Sequence, residues 1–330
     1  MTLRGLYTSS RRRYCGLLDS ALAPPCLAAY DALYAYASTS NNVQDIEALR
    51  KALNTNKLNF YMASYGTRLG LAYLVKYPQH VQRIILDGNI APANTLNSLI
   101  DARADGAVAT FNAFFQYCAE AGSQCVLNRL VSQVNTKSSA DLIERFNQFM
   151  QDVSKKQGVP TSPKFATQPV TSRMIANIVY SEMQPSNWKN LAQALYNAEV
   201  NNSGDGLMQI YMASTGYDPI KESYPVDNNA TASAVICADY VIPSFNQKAS
   251  WLKFVKQIES QYSSVGTIAI LWLSPMCVYW PVTSNPTLPE QPVKKFDSTF
   301  PQVLIIGNSE DPMTPFHNAL AVKAYLNLCR

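Results

Sequence analysis

Residues 57 to 88 restrict the fold more than any other part of the chain. An apolar run Lys57-Leu-Asn-Phe-Tyr-Met62 reads as a strand, and Gly66 to Tyr77 reads as a helix that Pro78 ends. Val81-Gln-Arg-Ile-Ile-Leu86 is a β-branched strand closing on Asp87-Gly88. Two strands joined through a helix run in the same direction, because the helix carries the chain back along their length; the unit is therefore a parallel βαβ. Ahead of it, Val43 to Asn54 places Val43, Ile46, Leu49 and Leu53 on one helical face, as for a helix packed on a sheet. The strand and helix pattern returns near the end, with Gln302-Val-Leu-Ile-Ile-Gly307 as a buried strand and Thr314 to Leu328 as the helix after it.

Between those two α/β pieces, helices are expected at 97–120, 138–155, 171–183, 186–199 and 247–260, separated by polar loops at 156–172 and 215–232. Helices inserted between successive strands emerge at the strand ends, where ligands bind, so they suit a lid. The expected organisation is residues 1–94 as the first part of an α/β core, 95–260 as a helical lid, and 261–330 as the rest of the core. The fold class is α/β, with a mostly parallel sheet flanked by helices.

Composition narrows the function. Of 330 residues, 47% are hydrophobic and 15% charged, which supplies a packed core and excludes a disordered chain. The formal charge of +4, with no basic block beyond Arg11-Arg12-Arg13, leaves no footprint for nucleic acid. Ser260 to Pro289 is free of charge, but Pro275 and Pro281 interrupt its apolar middle, so it reads as buried strand and loop and not as a membrane span. Seven cysteines without a CxxC pair make a zinc cage an unsuitable reading, and no metal, phosphate loop or dinucleotide fingerprint is present, so no cofactor is expected. Cys118 and Cys125 close a short loop around a Gly-Ser turn, as a local disulfide does in an exported protein; the plain alternative is two buried free thiols. The sequons at Asn201 and Asn229 are compatible with export, although Met1 to Cys15 has no apolar stretch of signal-peptide length and its basic, acid-free character allows a mitochondrial presequence instead.

Met62-Ala63-Ser64-Tyr65-Gly66 stands where the first strand becomes a helix. A serine on such a turn is lifted above the sheet edge, with the Tyr65 N–H and the helix N-terminus able to stabilise an oxyanion. The sharp turn favours small residues two before and two after the serine; Gly66 complies and Met62 does not. The plain alternative is a serine that only caps its helix. Asp311, in Gly307-Asn-Ser-Glu-Asp311-Pro-Met-Thr-Pro315, lies on a proline-braced loop after a strand, which suits the orienting acid of a triad or, more plainly, a helix cap. The order Ser64 before Asp311 is that of α/β hydrolases.

These residues, together with Asp45-Ile-Glu-Ala-Leu-Arg50, Ile236-Cys237-Ala-Asp239 and Trp280-Pro281, resemble the tripeptidyl and prolyl aminopeptidase branch of the α/β-hydrolase serine peptidases, over roughly residues 15 to 320. The resemblance implies a secreted or vesicular exopeptidase that releases residues or short peptides from free amino termini. It implies Ser64 as nucleophile, Asp311 as orienting acid and Tyr65 as backbone oxyanion donor. Glu182 or Asp239 are candidates to grip the ammonium group of a peptide substrate, and either also reads as a solvated surface acid.

The chain departs from the family pattern at three points. Its only histidines are His80, in the turn after the nucleophile's helix, and His317, six residues after the acid inside the next helix start; the family's base comes from a later loop. No Gly-rich oxyanion loop precedes Ser64, and Met62 occupies the elbow. The expectation is a family member truncated at both ends, with impaired catalysis. The alternatives are an inactive homologue and a carboxylesterase or lipase of the same fold.

Overall fold

The computed structural model describes residues 36–129, 138–223, 229–241, 248–262, 277, 288 and 300–328. The charge-free stretch 263–276, the amino-terminal residues with Cys15 and Cys26, and Cys329 lie outside the described residues. The chain forms two units. One comprises residues 12–106, 228–261 and 269–330; the other is mainly 107–227.

The first unit is built on a parallel sheet in the order β1 (Leu58–Ala63), β2 (Val81–Asp87), β3 (Gln302–Ile306). The register sets Phe60 beside Ile84 beside Val303, and Met62 beside Leu86 beside Ile305. That face is covered by α1 (Thr39–Ala52) and α2 (Gly66–Lys76), and the core joins Val43, Leu71, Leu74, Ile84 and Leu86 to Val322 and Tyr325 of the last helix. The alternate row, Tyr61, Ile85 and Leu304, points the other way, as the two-residue period of a strand requires; Tyr61 and Leu304 are exposed. Burying one aliphatic side chain of the covered row contributes roughly 1.5–3 kcal/mol.

The apolar face expected for α1 is displaced. Val43 is buried, but Leu49 and Leu53 are more than half exposed, and the inward stripe is Thr39, Val43 and Glu47. The helix is turned because Glu47 is held inside by polar partners: its carboxylate accepts from Arg50 Nε and Nη2 at 2.9 and 2.7 Å and from Tyr73 Oη at 2.9 Å, and meets His80 Nδ1 at 3.1 Å. A buried acid so satisfied outweighs the periodicity of two leucines.

Helix α3 (Leu96–Glu120) begins in the sheet unit and continues into the second. The second unit then holds α4 (Ser139–Lys155), α5 (Ser172–Ser181), α6 (Trp188–Val200) and α7 (Asp205–Thr215). Ser138 opens α4 with a reciprocal capping box to Asp141, and Thr171 caps α5. Helix α7 has no counterpart among the sequence expectations, because Ser203-Gly204-Asp205-Gly206 reads as loop; Gly206 instead allows close approach to α6, where a Cβ would stand 3.4 Å from that of Ala194. The Cys118–Cys125 disulfide expected from the sequence is formed. The sheet unit is completed by α8 (Asn229–Asp239), α9 (Lys248–Gln261) and α10 (Phe316–Tyr325). Helix α8 falls partly in a stretch expected to be loop, and a second disulfide, Cys237–Cys277, fixes its end.

Candidate active site

Ser64 leaves the last residue of β1 in the left-handed region, at φ +53°. For a residue with a Cβ this costs on the order of 1–2 kcal/mol, so the surroundings must impose it. They do so from both sides. The Ser64 N–H donates to the Asp87 carbonyl at 2.9 Å, continuing the β1–β2 ladder by one residue. The Ser64 carbonyl accepts from the Thr67 N–H at 2.9 Å and from Thr67 Oγ1 at 2.7 Å, and that hydroxyl in turn accepts from the Ile90 N–H at 3.0 Å. The backbone reverses directly into α2 and leaves the serine exposed at the carboxyl edge of the sheet.

Met62, the residue at odds with a tight elbow, finds its space in the helix that follows. A Cβ on Gly70 would lie 2.7 Å from Met62 Cγ, and a Cβ on Gly66 would lie 4.0 Å from its sulfur. Two glycines one turn apart on α2 thus make the room that a small residue at 62 would have provided.

Asp311 lies in the loop after β3. Its Oδ1 accepts from the N–H groups of Met313 and Thr314 at 2.9 and 2.8 Å, and its Oδ2 accepts from Thr314 Oγ1 at 2.6 Å. This turn packs against the residue that follows β2: Gly88 has φ +64°, and a Cβ there would be 2.9 Å from Thr314 Oγ1 and 3.9 Å from Asp311 Oδ2. Asn318 of α10 donates to the Asn89 carbonyl at 3.0 Å, and Asn89 donates to the Ile306 carbonyl at 2.8 Å, tying the same loop to β3. Ser64 and Asp311 therefore occupy the carboxyl edge of one sheet on either side of β2, Ser64 bonded to Asp87 and the acid resting on Gly88. Main chains two strands apart in such a sheet are roughly 10 Å apart.

The N–H groups of Tyr65 and Gly66 open α2 and belong to those a helix start leaves without intrahelical acceptors. The Tyr65 phenol turns inward and donates to Asp239 Oδ2 at 2.8 Å; burial, Tyr240 and Asp239 together raise it well above the ordinary tyrosine range, so it stays a neutral donor. Asp239 is fully buried. Its Oδ1 accepts from the Thr39 N–H at 2.6 Å, its Oδ2 accepts from Thr39 Oγ1 at 2.5 Å, and Arg68 Nε lies 3.7 Å from Oδ2. Arg68 is itself buried, donating to the Ala93 carbonyl at 2.7 Å and Asn94 Oδ1 at 3.1 Å with its guanidinium 4.3 Å above the Tyr240 ring. Glu182, the other acid singled out, ends α5 in the helical unit, where burial raises its carboxyl.

His80 precedes β2, at the opposite end of that strand from Asp87, which over seven residues is about 20 Å. It stacks on Tyr77 and bonds to Glu47. His317 is exposed in the first turn of α10. Among the described residues no hydrogen bond joins Ser64 to either histidine, no group of three or more His, Cys, Asp or Glu is arranged to hold a metal, and no helix is long and apolar enough to cross a membrane.

Residues 3–327 match the family described as alpha/beta hydrolase fold. The chain belongs to that family. The chain is 25% identical over 299 residues to the serine protease Hip1 of Mycobacterium tuberculosis, covering 86% of this chain and 52% of that protein. It is 24% identical over 285 residues to a tripeptidyl aminopeptidase of Streptomyces lividans, covering 86% of this chain and 49% of that protein. A carboxylesterase B of Mycobacterium tuberculosis is 25% identical over 284 residues, with 86% of this chain and 51% of that protein covered. The chain thus spans about half the length of the curated relatives it matches.

The sequence had no signal for the Thr39–Asp239–Tyr65 cluster, since its members are 26 and 174 residues apart along the chain.

Proposed function

We propose that this chain carries the nucleophile and orienting acid of a serine exopeptidase, with Ser64 attacking the carbonyl of a peptide that has a free amino terminus. The observation that supports it is the strained, exposed Ser64 at the carboxyl edge of β1 with the Asp311 turn braced one strand beyond β2. In such a reaction Ser64 Oγ bonds to the carbonyl carbon, the hydroxyl proton passes to a base, and the carbonyl oxygen becomes an oxyanion. The Tyr65 N–H is the proposed donor to that oxyanion. The leaving amine then takes the proton, and water releases the acyl group from Ser64.

Catalysis by the chain alone is proposed to be impaired, because neither histidine is hydrogen-bonded to Ser64. Loss of a triad base lowers kcat by roughly 10⁴–10⁶, leaving what binding and oxyanion stabilisation supply. Of the two acids considered for the substrate ammonium, Asp239 has its oxygens engaged by Thr39, Tyr65 and Arg68 and is not available to grip a ligand. Two disulfides fit an oxidising compartment and support a secreted protein. Relatives named as proteases and as an esterase both occur, and peptide and ester substrates distinguish the two readings.

The test is labelling by a serine-directed fluorophosphonate, with Ser64→Ala as control, followed by aminoacyl- and tripeptidyl-naphthylamides against nitrophenyl esters. Labelling at Ser64 and slow naphthylamide turnover are expected. Labelling elsewhere, or label unchanged in S64A, refutes the nucleophile. Ester turnover without naphthylamide turnover favours the esterase reading.

A further inference from the structure

Tyr65 joins two places in the sheet unit. Its backbone opens α2 directly after Ser64, and its phenol ends on a carboxylate that belongs to α8. That carboxylate is a fixed point. Cys237, two residues earlier, is disulfide-bonded to Cys277, and the Asp239 carbonyl accepts from Arg68 Nη2 at 3.3 Å. Arg68 lies in the first turn of α2, so Asp239 holds that turn twice, through the phenol at Tyr65 and through the guanidinium at Arg68. On its far side the same carboxylate holds the first residue of α1 through Thr39.

We propose that Asp239 is a positioning residue: through the Tyr65 phenol it fixes the orientation of the Ser64–Tyr65 peptide, and so the direction of the N–H that faces the serine's reaction. The chemical part of this inference rests on Ser64 being the nucleophile, and the conformational part does not. Ser64 is held at a positive φ by the Asp87 bond on the strand side and the Thr67 bonds on the α2 side, and the phenol adds a side-chain anchor on the α2 side of that bend. A hydrogen bond from a neutral donor to a buried carboxylate is stronger than one between neutral groups, which suits it to hold a strained turn.

The two hydroxyls on Asp239 Oδ2 provide a matched comparison. Tyr65→Phe removes the donor on the elbow side and leaves the Thr39 N–H, Thr39 Oγ1 and Arg68 on the carboxylate. Thr39→Val removes the donor on the α1 side and leaves the elbow contacts intact. Both variants lose one hydroxyl from the same oxygen, so a purely structural role predicts equal effects. If Asp239 positions the elbow, amide hydrogen exchange across residues 64–68 rises about tenfold in Y65F and less than about twofold in T39V. Phosphonate labelling at Ser64 slows about tenfold in Y65F and stays within about twofold of wild type in T39V. Equal exchange and equal labelling in the two variants overturn the inference while leaving Ser64 as nucleophile. Absence of labelling in the wild type refutes the nucleophile, and the exchange comparison then still decides whether Asp239 holds the turn. Asp239→Asn is the companion variant: it keeps one acceptor oxygen, and elbow exchange unchanged from wild type counts against the inference as well.

Discussion

Met62 and Gly70 are a fitted pair. The methionine occupies the elbow position where the turn favours a small residue, and its Cγ lies 2.7 Å from where a Cβ on residue 70 would stand. The same Cβ would lie 3.1 and 3.2 Å from Ile84 Cδ1 and Leu86 Cδ2. The volume missing from the strand side of the turn has been moved to the helix side.

The first prediction follows from this pair. On an open helix, Gly→Ala is stabilising by up to about 1 kcal/mol. At position 70 the sign reverses, because the methyl group drives into Met62, Ile84 and Leu86; G70A is expected to lower stability by about 1–3 kcal/mol. Met62→Ala in the same chain opens the space again. A double-mutant cycle by urea denaturation should show coupling of more than about 0.5 kcal/mol, and additive losses would mean the two side chains do not share a volume.

Glu47 sets an acid limit on stability. Its hydrogen bonds with Arg50 hold its carboxyl down at about 2, against burial, from an ordinary value of 4.5. A carboxyl depressed in the folded state contributes stability that is fully present above its unfolded value and lost as pH falls through the folded one. The chain should therefore lose stability between about pH 4.5 and pH 2, as protons bind the unfolded carboxyl first. Glu47→Gln is expected to be less stable at pH 7 and to show a shallower decline over that window. Parallel urea midpoints at pH 7, 4 and 3 would measure it; slopes identical to wild type would remove Glu47 from the account.

The strands and the helix between them could be read from the sequence because each is a local pattern: a β-branched run, a turn, a period near 3.6. Ser64 and Asp311 could be singled out for the same reason, each standing where a strand ends. What escaped was decided by distant partners. The face of α1 could not be read from Leu49 and Leu53, since Glu47 is drawn inward by Tyr73 and His80, more than 25 residues away. Helix α8, Asn-Ala-Thr-Ala-Ser-Ala-Val-Ile-Cys-Ala-Asp, lacks an apolar stripe because Ala234 and Ile236 to Asp239 are all buried. Asp239 reads as a surface acid from the sequence because nothing local to it signals that Thr39, Tyr65 and Arg68 close around it. Met62 departs from the small-residue preference of the turn, and the space it takes is supplied by Gly70, eight residues on.

The Cys237–Cys277 bridge closes a loop of 40 residues beside Asp239. In the chain-entropy picture such a link stabilises by up to about 4 kcal/mol through its effect on the unfolded chain. Cys237→Ala with Cys277→Ala is expected to cost up to about 4 kcal/mol, against up to about 2.5 kcal/mol for removing the short Cys118–Cys125 loop. Urea melts of the two paired variants in non-reducing buffer compare them. An equal or larger loss from the Cys118–Cys125 variant would show that strain or packing, and not loop length, sets the contribution.

Gly88 and Thr314 decide where the Asp311 carboxylate sits. Residue 88 follows β2 at φ +64°, and its missing Cβ leaves the space into which the Thr314 hydroxyl and Asp311 Oδ2 pack. Gly88→Ala therefore combines backbone strain with a methyl group 2.9 Å from Thr314 Oγ1, and a loss of about 2–4 kcal/mol is expected from the two together. Thr314→Val is the gentler change. It deletes one of three donors to Asp311 and leaves the Met313 and Thr314 N–H groups on Oδ1, for an expected loss of about 1–2 kcal/mol. Because Oδ2 would then be free to turn, the Asp311 side chain should become mobile in T314V while the turn backbone keeps its amide protection. Side-chain carboxyl ¹³C relaxation, read beside hydrogen exchange at Met313 and Thr314, distinguishes these. A carboxylate that stays ordered in T314V would mean the two N–H bonds to Oδ1 suffice to fix it.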